Sequence, residues 1–225
     1  EDLRLKYIRP FDSSYAVGNS AIAVTQVKEE VDRMLDMVSK NISDAFDTLI
    51  KYDDKSRQKV EEREEYIDYL NKGISEYIVS LMSGEMNADD SRKINGYYAI
   101  ISNLERIGDH ATNIAEYADD MKKWELQFSD NVLDELEEMK KQCISCLENV
   151  KNVDPADTGR VLNQAEILEQ KTDDMRDKYF KKQMQRLKKG KCKPQSGIVF
   201  SEVLTDFERM GDHALNIAQQ YKEMG

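Results

Sequence analysis

The sequence predicts an all-α protein built as two tandem three-helix bundles that arose by internal duplication. Three observations predict it. The 225 residues include only 3 Pro and 10 Gly, and Asp, Lys, Glu, Leu and Ile dominate, which leaves little room for strands. Six stretches carry apolar residues at the 3.6-residue helical period, joined by short links of the kind that connect antiparallel neighbours. A twelve-residue segment recurs 103 residues further on.

In chain order, residues 1–19 read as an irregular connector holding Pro10 and Gly18. The first helix is expected from Ser20 to about Ser56, with Ile22, Val27, Val31, Met34, Leu35, Val38, Ile42, Ala45, Phe46 and Leu49 on its apolar face. A second runs from near Lys59 to a terminating glycine at Gly84. Asn87 to Ser91 offer N-caps for a third, which ends near Lys122. Ser129 or Asp130 caps a fourth, with Val132, Leu136, Met139, Cys143 and Leu147 turned inward. Asp154-Pro155 marks a turn, and a fifth helix spans about Asp157 to Leu187, stopped by Gly190. Pro194 suits the first turn of a sixth, which reaches the chain end. The division is therefore a connector (1–19), a first bundle (20–125) and a second bundle (126–225).

The charge balance excludes some functions. The formal net charge of −11 repels phosphate, so nucleic acid is not an expected partner. The mean hydropathy is −0.72, and no run approaches the ~20 apolar residues of a spanning helix. The chain begins at Glu1 rather than Met, as a processed form or a piece of something longer would, and no apolar run near the start reads as a signal peptide. Three cysteines, Cys143, Cys146 and Cys192, make no disulfide framework and suit a reducing compartment. Cys143-x-x-Cys146 reads as two buried small hydrophobes, because zinc wants four ligands.

The repeat carries the chemistry. Leu104-Glu105-Arg106-Ile107-Gly108-Asp109-His110-Ala111-Thr112-Asn113-Ile114-Ala115 returns as Phe207-Glu208-Arg209-Met210-Gly211-Asp212-His213-Ala214-Leu215-Asn216-Ile217-Ala218, identical at nine positions. Both histidines of the chain fall at the same place in the two copies. The second helices repeat more faintly: Glu61-x-x-Glu64-x-x-x-Asp68 matches Glu166-x-x-Glu169-x-x-x-Asp173. Carboxylates four residues apart lie on one helical face, where like charges cost about 0.2–0.5 kcal/mol per pair. The pattern nevertheless occurs four times, at Glu64/Asp68, Glu105/Asp109, Glu169/Asp173 and Glu208/Asp212. A bound cation would offset that repulsion. If the second and third helices of a half are antiparallel neighbours, their pairs converge into a four-carboxylate cluster, a device bundles use to hold metals. All-carboxylate donors favour hard ions: Mg, Ca, Mn or iron. The Glu-x-x-His spacing of di-iron oxidases is missing. The plain alternative is a solvated acidic face with Arg106 and Arg209 as local ion partners.

Gly108 and Gly211 break the helical rule at a cost of ~1 kcal/mol each, for which close helix packing is the first explanation and ligand access the second. For His110 and His213 a hydrogen bond from the ring to a carboxylate is expected at least as much as direct ligation. Residues 178–193 contain eight basic residues out of sixteen, a patch for an anionic membrane or an acidic partner, or simply a solvated helix end that suits the dipole.

Glu105-Arg106-Ile107-Gly108-Asp109-His110-Ala111 and Glu208-Arg209-Met210-Gly211-Asp212-His213-Ala214 resemble the PhoU family, and the match covers about residues 20–223. The resemblance implies two copies of a three-helix bundle with multinuclear metal clusters on the bundle surface. Iron comes first, with Mg, Mn and Ca as other hard cations. It makes Glu105, Asp109, Glu208 and Asp212 the first ligand candidates and Glu64, Asp68, Glu169 and Asp173 the next. The stretch from Tyr7 to Ser20 and the helix after it are similar to the cytoplasmic PhoU-like domain that follows the membrane part of bacterial sodium/phosphate cotransporters. Glu62-Arg63 faces Ile167-Leu168 across the repeat, so the two sites are expected to differ.

The function these readings imply is regulation of phosphate uptake by a non-enzymatic domain, cytoplasmic and tethered to the inner face of the cell membrane. The partner is the membrane domain of a phosphate transporter, in the same polypeptide under the cotransporter reading. A signalling protein and a second copy of the chain are further partners the resemblance allows. The alternatives are a stand-alone PhoU-type phosphate-signalling regulator, a metal-dependent hydrolase and a metal-free helical adaptor.

Overall fold

The computed structural model describes residues 2–8 and 20–225. The elements are α1 (Ser20–Ile50), α2 (Asp54–Met82), α3 (Ala88–Lys123), α4 (Asp130–Glu148), a short 3-10 turn (Pro155–Asp157), α5 (Thr158–Lys188) and α6 (Pro194–Met224). No strand occurs among the described residues. The all-α expectation holds, as do most boundaries. One correction concerns the first link. α1 stops at Ile50 instead of near Ser56, and α2 begins at Asp54 instead of Lys59, because the Asp53 carboxylate accepts the Ser56 backbone N–H at 2.8 Å and caps a new helix there. Asn87 caps α3 by accepting from the Asp90 N–H at 2.8 Å. Gly190 ends α5 in the left-handed region, at φ 64°, where the Lys191 N–H reaches back to the Arg186 carbonyl at 2.9 Å.

The apolar stripes point where their period puts them. On α1 the expected inward residues are buried, except Ile22, which is 48% exposed near the helix start. Leu104, Ile107, Ala111 and Ile114 are fully buried on α3. Cys143 and Cys146 are buried thiols, as small hydrophobes would be. Three helices of each half pack on one another, and the halves then join through equivalent elements: α3 on α6, and α1 on α4. Helices that pair with their own duplicates behave like an isologous interface within one chain. The hydrophobic core runs through both halves without a break.

The stretch 2–8 is irregular, as expected, yet bound to the first bundle. The fully buried Glu30 carboxylate accepts the Lys6 and Tyr7 backbone N–H groups, Arg33 donates to the Arg4 carbonyl at 2.9 Å, and Ile8 is buried. The remainder of the expected connector, residues 9–19, lies outside the described residues.

Candidate functional site

Each half brings its two acidic motifs together, from α2 and α3 in the first and from α5 and α6 in the second. In the second half, one oxygen each of Glu169, Asp173 and Asp212 lies within 4.8 Å of the others. Among the described residues this is the single acidic group that close. Burial, then the adjacent Asp173 and Asp212 carboxylates, push the Glu169 carboxyl up to about 7. Asp212 is raised as well, by burial and by Asp173. One oxygen of Asp173 is buried and has no hydrogen-bond partner. The fourth expected member, Glu208, stands at the edge: its carboxylate faces the Arg176 guanidinium at 3.4 Å.

The first half gathers Glu64, Asp68, Glu105 and Asp109 more loosely. Their charges still act on one another. Glu64 is pushed up to about 7 by burial and then by Asp68, with a smaller push from Asp109 and an opposing pull from the Thr112 hydroxyl. Asp68 is raised by burial and Asp109, and Glu105 by burial, Asp109 and Asp68. Glu64 leaves one buried oxygen unpartnered. Arg106 and Arg209 form no ion pair among the described residues; Arg106 offsets only part of the push on Glu105, and Arg209 only part of that on Asp212. Half-buried to exposed carboxylates that repel one another, with one buried unpartnered oxygen in each half, on Glu64 and on Asp173, are a donor set that hard cations take.

The motif glycines have different roles in the two halves. A Cβ on Gly211 would sit 2.9 Å from the Thr172 Cγ2, so α5 and α6 approach as closely as a glycine permits. A Cβ on Gly108 would meet the Glu64 carboxylate at 3.4 Å and Ile67 at 3.7 Å, which is ordinary contact. Close packing accounts for Gly211. It does not account for Gly108, whose missing side chain keeps space beside an acidic oxygen.

The histidines do not point into the acidic clusters. They meet at the seam between the halves, ring on ring, with centroids 5.7 Å apart. His110 Nδ1 lies 2.6 Å from Asp206 Oδ1, and His213 Nδ1 lies 3.1 Å from Asn103 Oδ1. The buried Asp206 carboxylate also accepts from Asn113 at 3.1 Å and from the Tyr117 hydroxyl at 2.7 Å. Burial, then the neighbouring His110 and the two arginines, lower the His213 ring to about 4, so it is neutral at neutral pH. A carboxylate partner for a histidine was expected, but not that it belongs to the opposite repeat. Asn103 and Asp206 sit one residue before the duplicated segment, and the shared 103-residue offset was the signal that could have found them.

No helix of the described residues is long and apolar enough to cross a membrane. The family model described as the PhoU domain matches residues 31–118 and again 130–221. A phosphate-specific transport system accessory protein PhoU homolog 1 from Thermotoga maritima is 29% identical over 90% of this chain and 88% of its own length. A homolog of the same description from Clostridium acetobutylicum is 26% identical over 86% of this chain and 88% of its own. The crystal structure of PhoU from Pseudomonas aeruginosa superposes with a TM-score of 0.78 at 21% identity, covering 89% of this chain and 95% of that one. The phosphate transport system regulatory protein PhoU from Streptococcus pneumoniae also gives 0.78, at 17% identity over 91% and 96%. These two likenesses establish the fold. With the family model matched twice along its length, the chain belongs to the PhoU family.

Proposed function

We propose that this PhoU-family chain is an accessory regulator of a phosphate transport system that binds hard metal cations through its two acidic clusters. The single observation that carries the regulatory part is the likeness, over 86% and 90% of this chain and 88% of each relative, to proteins named as accessory to phosphate-specific transport. The same likeness favours the alternative of a PhoU-type regulator acting on a separate transporter over the cotransporter-domain reading, for which these relatives offer no support. It also speaks for an accessory protein and against a hydrolase.

The metal part rests on the donor set. Glu169, Asp173 and Asp212 would hold a cation in the second half, with Glu208 joining once freed from Arg176. Glu64, Asp68, Glu105 and Asp109 would hold one in the first. A cation there supplies charge neutralisation, which locks α2 to α3 and α5 to α6. The carboxylate chemistry admits iron, Mn, Mg or Ca without choosing among them. The site of action is the cytoplasmic face of the membrane, where the transporter partner is met.

The test is genetic and direct. Phosphate uptake is measured in the source cell with the gene deleted, then restored with the wild-type chain or with one carrying Glu169→Gln, Asp173→Asn and Asp212→Asn. Uptake or its response to external phosphate changes on deletion, wild type corrects it, and the carboxamide variant corrects it poorly. Uptake indifferent to deletion contradicts the regulatory role. Full correction by the variant contradicts the role of the cluster.

A further inference from the structure

The C-terminal end of α5 and the link to α6 carry a charge pattern that neither the repeat nor the acidic clusters explain. Residues 178–193 hold eight basic side chains and no acidic one. The corresponding stretch of the first repeat, 73–88, holds no basic side chain and two acidic ones, Glu76 and Glu85. Removing the eight charges from the net of −11 leaves −19 on the rest of the chain. The molecule is therefore strongly polarised, with one positive end.

The arrangement of these charges is specific. At 100° per residue, Lys178, Lys181, Lys182, Lys188 and Lys189 fall within an arc of about 120° along about 17 Å of helix, and Lys191 and Lys193 follow in the link. All seven lysines are exposed, and none forms an ion pair among the described residues. The one arginine, Arg186, lies outside this arc and is consumed by the buried Glu135 carboxylate at 2.9 Å. It forms one wall of a groove of about 630 Å³ against α4, where Asp134 and Glu138 also stand. An acidic peptide lying in that groove would meet those carboxylates. Lys178, Lys182, Lys189 and Lys191 stand on the α5 side of that groove and Lys181, Lys188 and Lys193 lie outside it, yet all seven are exposed, so a plane of negative charge laid across this end of the molecule reaches lysines that a peptide confined to the groove does not. Lysine rather than arginine suits this contact, because a hydrated point charge needs no bidentate partner. Phe180 is off the stripe and beneath the Arg176 guanidinium, 5.2 Å from its ring centroid, so no apolar wedge accompanies the charge.

We propose that the lysine stripe of α5 adsorbs the protein onto a membrane surface rich in anionic lipid, by electrostatics without insertion. Adsorption in this way orients the molecule, since the −19 remainder is repelled from the same surface. It does not depend on the cation reading, because the acidic clusters lie more than one helical turn away along α5.

The 225-residue chain is sedimented with vesicles of phosphatidylcholine alone and of phosphatidylcholine with phosphatidylglycerol. At salt of ~0.1 M, where the screening length is ~10 Å, it binds the second and not the first, and salt of ~1 M releases it completely. The variant Lys181→Glu, Lys182→Glu, Lys188→Glu and Lys189→Glu binds at least ~100-fold more weakly. The corresponding Lys→Arg variant binds like wild type, and all three unfold at similar temperatures because the residues are exposed. Absence of binding to the anionic vesicles, equal binding by the glutamate variant, or retention at high salt overturns the proposal. So does wild-type protein that ignores vesicles yet binds poly-glutamate or inorganic polyphosphate, which would make the stripe a reader of soluble polyanions.

Discussion

The two halves share a frame and differ in what they do with it. Both place a Glu and an Asp one turn apart on each of two neighbouring helices. In the second half α6 approaches α5 until Gly211 is pressed against Thr172, and three carboxylates converge. In the first half Ile67 occupies the place of Thr172, Gly108 keeps ordinary clearance, and the four acids stand further apart. The second half also has Arg176 holding Glu208, where the first has Asn71. A duplicated motif thus fixes which residue types face each other, while one or two side chains on the partner helix set how tightly they meet.

The seam gives the largest expected effect. Asp206 accepts from three partners in a buried site, whereas Asn103 serves His213 at 3.1 Å and Asn216 at 3.4 Å. Asp206→Ala should cost about 3 kcal/mol, since it removes a buried carboxylate that three half-buried partners share, and Asn103→Ala about 1 kcal/mol. At roughly 2–4 °C per kcal/mol for a chain this long, the first variant melts far below the second. Equal losses would show that the seam is symmetric in energy despite its unequal chemistry.

Metal affinity separates the halves next. Asp212→Asn should weaken cation uptake by the second cluster at least tenfold, and Arg176→Ala should strengthen it several-fold by removing a competing charge and freeing Glu208, both read by equilibrium dialysis. A cluster insensitive to Arg176→Ala would place Glu208 outside the ligand set.

A pH series on chelated protein follows. Glu64 and Glu169 hold protons up to about 7 in the folded protein against an ordinary value of 4.5, so the native state binds more protons than the unfolded chain between those values. Stability therefore falls as pH rises through that window. His213, lowered from 6.5 to about 4, acts in the opposite sense, losing stability as pH falls below 6.5. Melting temperature should decline from pH 5 to 7.5 in the wild type and rise over the same range once Glu64→Gln and Glu169→Gln remove the larger contribution. A wild-type curve that rises would mean the carboxylates are not held as close as described.

The smallest contrast is at the glycines. Gly108→Ala, which meets only ordinary contacts, should stabilise by about 0.5–1 kcal/mol, while Gly211→Ala should destabilise by about 1–2 kcal/mol because Thr172 must give way. Chemical denaturation resolves the sign.

Most of the fold was legible because it depends on local rules. Period 3.6 placed Leu104, Ile107, Ala111 and Ile114 in the core, and Asn87 starts α3 and Gly190 ends α5 where their chemistry requires. The link between α1 and α2 was misplaced, since Asp53 looked no different from the many acids around it until its contact with Ser56 was seen. The acidic faces were legible as faces, through the i, i+4 spacing. The partition within them was not. That Glu208 turns to Arg176, and that Asp206 of one repeat serves His110 of the other, depends on how whole helices cross. Spacing within a single helix carries no information about that.

The claim that the two acidic clusters are cation sites of unequal quality is tested most directly by titrating chelator-stripped protein with Mn²⁺ and counting bound ions by metal analysis. The account predicts two classes of site, with the tighter one abolished by Glu169→Gln, Asp173→Asn and Asp212→Asn together and the weaker one by Glu64→Gln, Asp68→Asn, Glu105→Gln and Asp109→Asn. A stripped protein that takes up no ion, or uptake unchanged in both variants, would contradict it.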